Sequence, residues 1–175
     1  SLEKIAFEKA GIIKKNILEE KSYKQILKNM TDSIIHRGPD DEGREYFQNC
    51  FLGFRRLAIV DLSTDGHQPM YSNTKNECIT FNGEIYGYRD LKKEITDYPF
   101  QSNTDTEVIL SLYQKNGSEL PQKLNGMFSF AIWDEQKQQL FCARDRFGEK
   151  PFYYAIGKNG EFIFASEIKA ILATD

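Results

Sequence analysis

The stretch FNGEIYGYRDL, residues 81–91, constrains the topology more than any other part of this sequence. An apolar run ends there in Asn82-Gly83, a pair that usually closes a hairpin between two strands. A hairpin needs a second strand behind the pair. Instead, Ile85, Tyr88, Leu91 and Ile95 follow at helical spacing, which predicts a strand that turns directly into a helix over 84–95. Gly83 leaves its backbone N–H unshielded, and the Asn82 side-chain amide adds further donors beside it. Such a corner suits a negatively charged oxygen.

The surrounding pattern places that corner in a sheet covered by helices. Tyr23, Ile26, Leu27, Met30 and Ile34 predict an amphipathic helix over 19–35, stopped by Arg37-Gly38-Pro39. A further helix is predicted over 105–116, ended by Gly117. Strand-like runs fall at 44–48, 51–60, 77–81, 127–134, 140–144, 152–156 and 161–165, and a short helix starts at Ser166. Strands at both ends with helices between them predict an α+β fold of antiparallel sheets under helical cover.

Composition excludes several classes. A chain of 175 residues with 40% hydrophobic and 13% aromatic content can bury a sizeable core. A net charge of -3 with interspersed signs gives nucleic acid no basic stripe to bind. No run approaches membrane-spanning length, and the charged opening SLEKIAFEKAGIIKK does not read as a signal peptide. Cys50, Cys78 and Cys142 are odd in number and set in apolar surroundings, which fits reduced thiols in the cytoplasm. With two histidines and no CxxC, no zinc site is expected.

Polar residues cluster in HRGPDDEG (36–43), RRLAIVD (55–61), GHQPM (66–70) and NTDTEV (103–108). Each has an ordinary reading. Arg56 could pair with a carboxylate along a strand, Asp105 could cap a helix, His36 could be a structural hydrogen-bonding residue, and Asn82-Gly83 could be a turn. Together they have a chemical logic. An arginine, an aspartate and an oxyanion corner suit a free amino acid with a side-chain carbonyl, Arg56 forking its α-carboxylate and Asp105 taking its α-ammonium.

Those segments, with FRRLAIVDLSTDGHQPM, LNGMFSFAIWD, ARDRFGEKPFYY and FASEIKAIL, resemble the glutaminase domain of glutamine-hydrolysing asparagine synthetase, a class II glutamine amidotransferase. The resemblance implies a glutamine amidotransferase type 2 domain over 19–175, preceded by an atypical segment 1–18. It implies the N-terminal nucleophile hydrolase-type four-layer αββα sandwich of two mainly antiparallel sheets. Arg56 would hold the glutamine carboxylate, Asp105 its amino group, and Asn82 and Gly83 would form the oxyanion hole. Glu84 would line the pocket, the backbone of Leu57 and Ile59 would touch the ligand, and His36 would stand behind them. No cofactor is implied for this domain. ATP and magnesium belong to a C-terminal synthetase domain, the implied partner, which would use the ammonia to make asparagine from aspartate. The resemblance leaves a homodimer open and places the protein in the cytoplasm.

The resemblance fails at the start. Family members open with Cys-Gly-Ile-x-Gly-Phe, the cysteine being the nucleophile and its α-amine the proton relay. This chain opens with SLEKIAFEKAGIIKKN and holds no cysteine before Cys50. Part of that opening, LEKIAFEKAGIIK, resembles a motif of folylpolyglutamate synthetases. Three readings stay open: an altered or non-native start, a cysteine-less scaffold domain of a synthetase, or Ser1 as a terminal hydroxyl nucleophile. The expectation for the chain as it stands is an inactive glutaminase.

Overall fold

The structure is a computed structural model that describes residues 20–57 and 64–174. In chain order it has α1 (Glu20–Ser33), β1 (Asp41–Tyr46), β2 (Phe51–Arg56), β3 (Met70–Tyr71), β4 (Glu77–Ile85) and α2 (Tyr88–Glu94). Then follow α3 (Asp105–Asn116), β5 (Gly126–Asp134), β6 (Gln139–Arg144), β7 (Tyr153–Ile156), β8 (Phe162–Ala165) and α4 (Ile168–Leu172). Short 3-10 turns at Ile35–Arg37, Thr64–Gly66 and Gly117–Lys123 join some of them.

Every ladder between these strands is antiparallel: β3-β4-β5-β6 form one sheet, while β1-β2 and β7-β8 form two hairpins. Side-chain alternation then builds the layers. Ile79 and Phe81 of β4, Phe128, Phe130 and Ile132 of β5, and Phe141 of β6 face one way, onto Val108, Ile109 and Leu112 of α3. The intervening Cys78, Ala131, Trp133, Leu140 and Cys142 face the other way, onto Leu52 and Phe162 of the hairpins. The outer faces of the hairpins carry Phe51 and Ile163, which pack with Tyr23, Leu27 and Met30 of α1 and Ala170 of α4. Three apolar interfaces between four layers give helix, sheet, sheet, helix. Each fully buried large side chain there contributes about 1.5–3 kcal/mol over its exposed state.

The opening corner is corrected. Asn82-Gly83 does not end a strand: β4 runs straight through it to Ile85, with Asn82 opposite Ser129 and Gly83 opposite Phe128 in the β5 ladder. Pairing with β5 overrides the local turn preference, and the helix starts only at Tyr88, after Gly87 with its φ of 68°. The predicted helix over 84–95 therefore loses its first turn to the sheet. The Gly83 position itself is demanding. Its φ is 156°, and a Cβ there would lie 2.2 Å from the Met127 carbonyl oxygen.

Other boundaries shift by a few residues. The strand expected over 44–48 begins at Asp41, where the charged DEG triplet reads as a turn but pairs with β2. The strand expected over 51–60 is regular to Arg56, and its end at 58–60 lies outside the described residues. Among the described residues no helix is long and apolar enough to cross a membrane.

Candidate functional site

A cavity of about 430 Å³ opens between the four-stranded sheet and the hairpin layer. Its volume lies in the ~300–1,000 Å³ range of small-molecule sites. The strand β4 lines one wall with Asn82, Gly83 and Glu84, β2 and the residue after it supply Arg56 and Leu57, and the start of α3 supplies Asp105. Residues spread over positions 56 to 105 of the sequence thus share one cleft. Ile59 and Ser1 lie outside the described residues.

Arg56 and its neighbour Arg55 are sorted by strand alternation. Arg55 turns toward α1, donating to the Thr31 carbonyl at 3.1 Å and to the Asp32 carboxylate at 2.7 Å, with Glu42 also at 2.7 Å. Its charge is spent on the frame. The Arg56 guanidinium lies against Gly66, where a Cβ would fall 2.2 Å from its Nη2, so only glycine admits the arginine in this pose. The Arg56 carbonyl accepts the Asp40 N–H at 3.1 Å, which anchors the backbone below it.

Asp105 opens α3, but Thr104 is the cap, its hydroxyl accepting the Glu107 N–H at 3.4 Å. That leaves the Asp105 carboxylate for other work. Its Oδ2 accepts the Ile85 N–H at 3.0 Å while the residue stays buried. Burial pushes its carboxyl above the ordinary carboxylate range, against the lowering effect of the Ile85 and Thr106 N–H groups, and the nearby Glu84 charge adds to the rise. Asn82 is half-buried, and its Nδ2 donates to Ser166 Oγ at a long 3.5 Å. The cavity therefore carries a guanidinium, a carboxylate and strand-edge amide donors, the groups that a zwitterion with a side-chain carbonyl requires.

His36 stands outside this wall. It is exposed, with Nε2 3.0 Å from Glu167, a residue that Arg37 also reaches at 3.3 Å. Its link to the cavity is indirect, through Ser166 beside Glu167. Sequence reasoning assigned no role to Gln68 or Lys150, which both line the cavity. Gln68 sits in the GHQPM cluster and is only 6% exposed, but nothing in the pattern of the sequence marks it as buried. Among the described residues no cluster of His, Cys, Asp and Glu is placed to hold a metal ion.

Comparison with known proteins defines the class first. Glutamine phosphoribosylpyrophosphate amidotransferase from B. subtilis superposes with a TM-score of 0.71 at 22% identity, covering 86% of this chain and 40% of that one. That likeness shows the fold, the N-terminal nucleophile hydrolase-type αββα sandwich. The chain belongs to the glutamine amidotransferase domain family, whose pattern matches residues 10–175. It is 42% identical over 167 residues to asparagine synthetase (glutamine-hydrolysing) 2 of Bacillus subtilis, covering 94% of this chain and 22% of that protein. It is 43% identical over 138 residues to asparagine synthetase (glutamine-hydrolysing) 2 of Oryza sativa subsp. japonica, covering 79% of this chain and 23% of the relative. The chain spans no more than 32% of the length of the first curated relatives it matches.

Proposed function

We propose that this chain is the glutamine-holding part of an asparagine synthetase. Glutamine enters the cavity with its α-carboxylate on Arg56 and its α-ammonium on the Asp105 carboxylate. Its amide carbonyl points at the Gly83 N–H and the Asn82 side chain. Glu84 and Leu57 line the same cavity. The observation that carries the reading is the convergence of Arg56, Asn82, Gly83 and Asp105 on one cavity. In the complete protein the ammonia released from glutamine passes to a C-terminal domain that uses ATP and magnesium to amidate aspartate, and no step of that chemistry runs through this chain.

Bond cleavage by a thiol needs a cysteine in the cavity, and among the described residues none lines it. The chain's three cysteines are all buried in the core. We therefore assign binding, not turnover, to the chain as it stands. A second reading, a scaffold that only shapes the contact with a synthetase domain, is favoured by that same lack of an accessible thiol. Isothermal titration with L-glutamine separates the two. Micromolar to millimolar binding that Arg56→Ala abolishes supports the amidotransferase reading, and no heat with the folded parent chain favours the scaffold.

A further inference from the structure

The ladder of β4 contains a substitution of side chains for a strand. The N–H of Ser72 donates to the Glu77 carbonyl at 2.9 Å, whereas the N–H of Tyr86 donates to Asn125 on the β5 side at 2.7 Å. Odd-numbered residues of β4 thus direct their N–H groups to the β3 edge, and even-numbered ones to β5. Only two residues of β3 pair, Met70 with Ile79 and Tyr71 with Cys78. Continued by two positions, that register puts Gln68 opposite Phe81.

The Gln68 backbone has left the sheet by then. Its carbonyl oxygen presses on β1, so closely that a Cβ at Gly43 would lie 1.9 Å from it. Its side chain returns instead. Gln68 Oε1 accepts the Phe81 N–H at 2.7 Å, and Gln68 Nε2 donates to Thr106 Oγ1 at 3.3 Å. Four residues along the same edge, the Ile85 N–H is taken by Asp105. Between these two bonded positions the edge presents the N–H of Gly83, facing the cavity.

We infer that Gln68 is a positioning residue of the glutamine site: its amide stands in for the missing strand, ties β4 to the start of α3, and aims the Gly83 N–H at the substrate carbonyl. This rests on the glutamine reading above. Gln68 and Asp105 act as two brackets, and the oxyanion donor is held between them by bonds to its neighbours on either side. A glutamine side chain reaches both partners because it carries an acceptor and a donor on one planar group. Methionine has similar length and neither.

The test compares Gln68→Met with the parent chain in two measurements. In ligand-free protein, NMR amide exchange at Phe81 should quicken about tenfold, the loss of one typical buried hydrogen bond, while Tyr86 on the β5 side stays within about twofold. Titrations with L-glutamine and with L-norvaline, which has the same amino-acid end but no amide, should then diverge. Glutamine should weaken about tenfold in Gln68→Met, and norvaline should stay within about twofold. Equal loss of both ligands, or unchanged exchange at Phe81, overturns the positioning role. A parent chain that binds neither amino acid overturns the glutamine reading itself and this inference with it. Should Gln68→Met fail to fold, Thr106→Val removes only the far anchor of the amide and should give the same signs at smaller size.

Discussion

Asp105 shows how one buried carboxylate can be set against stability and still be kept. Its Oδ2 holds the Ile85 N–H, and in the proposed binding mode the same carboxylate takes the ammonium. Burial, helped by Glu84, raises its proton affinity above that of an exposed aspartate, near 3.9. Because its pKa is raised on folding, its contribution to stability is full below about pH 3.9 and is lost as pH rises through the folded value. Asp105→Asn should consequently melt no lower than the parent at pH 7, since an amide oxygen can still accept the Ile85 N–H, and its advantage should shrink toward pH 4. Glutamine binding should vanish in the same variant. In the parent, glutamine affinity should fall with decreasing pH from above the usual carboxylate range, because only ionised Asp105 attracts the ammonium. Thermal melts and titrations across pH 4–8 check both; an affinity flat down to pH 4 would count against Asp105 as the ammonium site. Gly83 is the other exacting residue. With a Cβ forced to 2.2 Å from the Met127 carbonyl, Gly83→Ala should destabilise by about 2–4 kcal/mol in chemical denaturation.

At the scale of elements, the turn after β6 is organised around the Asp145 carboxylate, with Arg144 donating to the Gly148 and Lys150 carbonyls. Asp145 accepts the N–H groups of Phe128, Phe147, Glu149 and Lys150 at 2.9–3.2 Å. Burial opposes its ionised form, but the N–H groups of Lys150, Glu149, Phe128 and Phe147 outweigh it and hold the carboxyl below its ordinary value. This is the reverse sign to Asp105: the contribution is present above about pH 3.9 and is lost as pH falls through the lowered folded value. Asp145→Ala orphans several amides at once and should cost about 2–4 kcal/mol, with Lys150 released from the cavity wall. Retained stability in urea melts would show that water replaces the carboxylate. Elements of this kind mark the limit of what the sequence revealed. The helix α3 and strand β5 were legible because Val108 to Tyr113 and Phe128 to Trp133 are apolar apart from Ser111 and Ser129. The passage of β4 through Asn82-Gly83 was not, since its cause is pairing with residues more than 40 positions later. The motifs singled out Arg56, Asn82, Gly83 and Asp105, which share one cavity, but not Gln68, because a side chain replacing a backbone partner leaves no periodic trace.

For the whole molecule, the layers decide which groups can reach the cavity. Cys50, Cys78 and Cys142 all face the core between the two sheets, and none lines the cavity. Burial pushes the Cys50 thiol well up, with Cys142, Cys78 and Glu135 adding to it, and burial likewise raises the thiols of Cys78 and Cys142. Thiols raised in this way stay protonated at neutral pH, so on the proposed reading none of the three offers a thiolate to the cavity. An oxyanion donor is worth roughly 10²–10³ in rate, but it acts on a tetrahedral adduct that must first be formed. The chain should thus release no ammonia from glutamine above background, and a glutamine-mimicking diazoketone should leave its mass unchanged. Replacing the opening residues by a Cys-Gly-Ile start should recover both turnover and one equivalent of label, because on the proposed reading Arg56, Asp105 and Gly83 already share the cavity that holds glutamine. Ammonia release by the unaltered chain that disappears in Ser1→Ala would instead make the Ser1 hydroxyl the nucleophile. Labelling that follows Cys50, Cys78 or Cys142 would mean that the core between the sheets opens to solvent, and the division between binding and cleavage would fail.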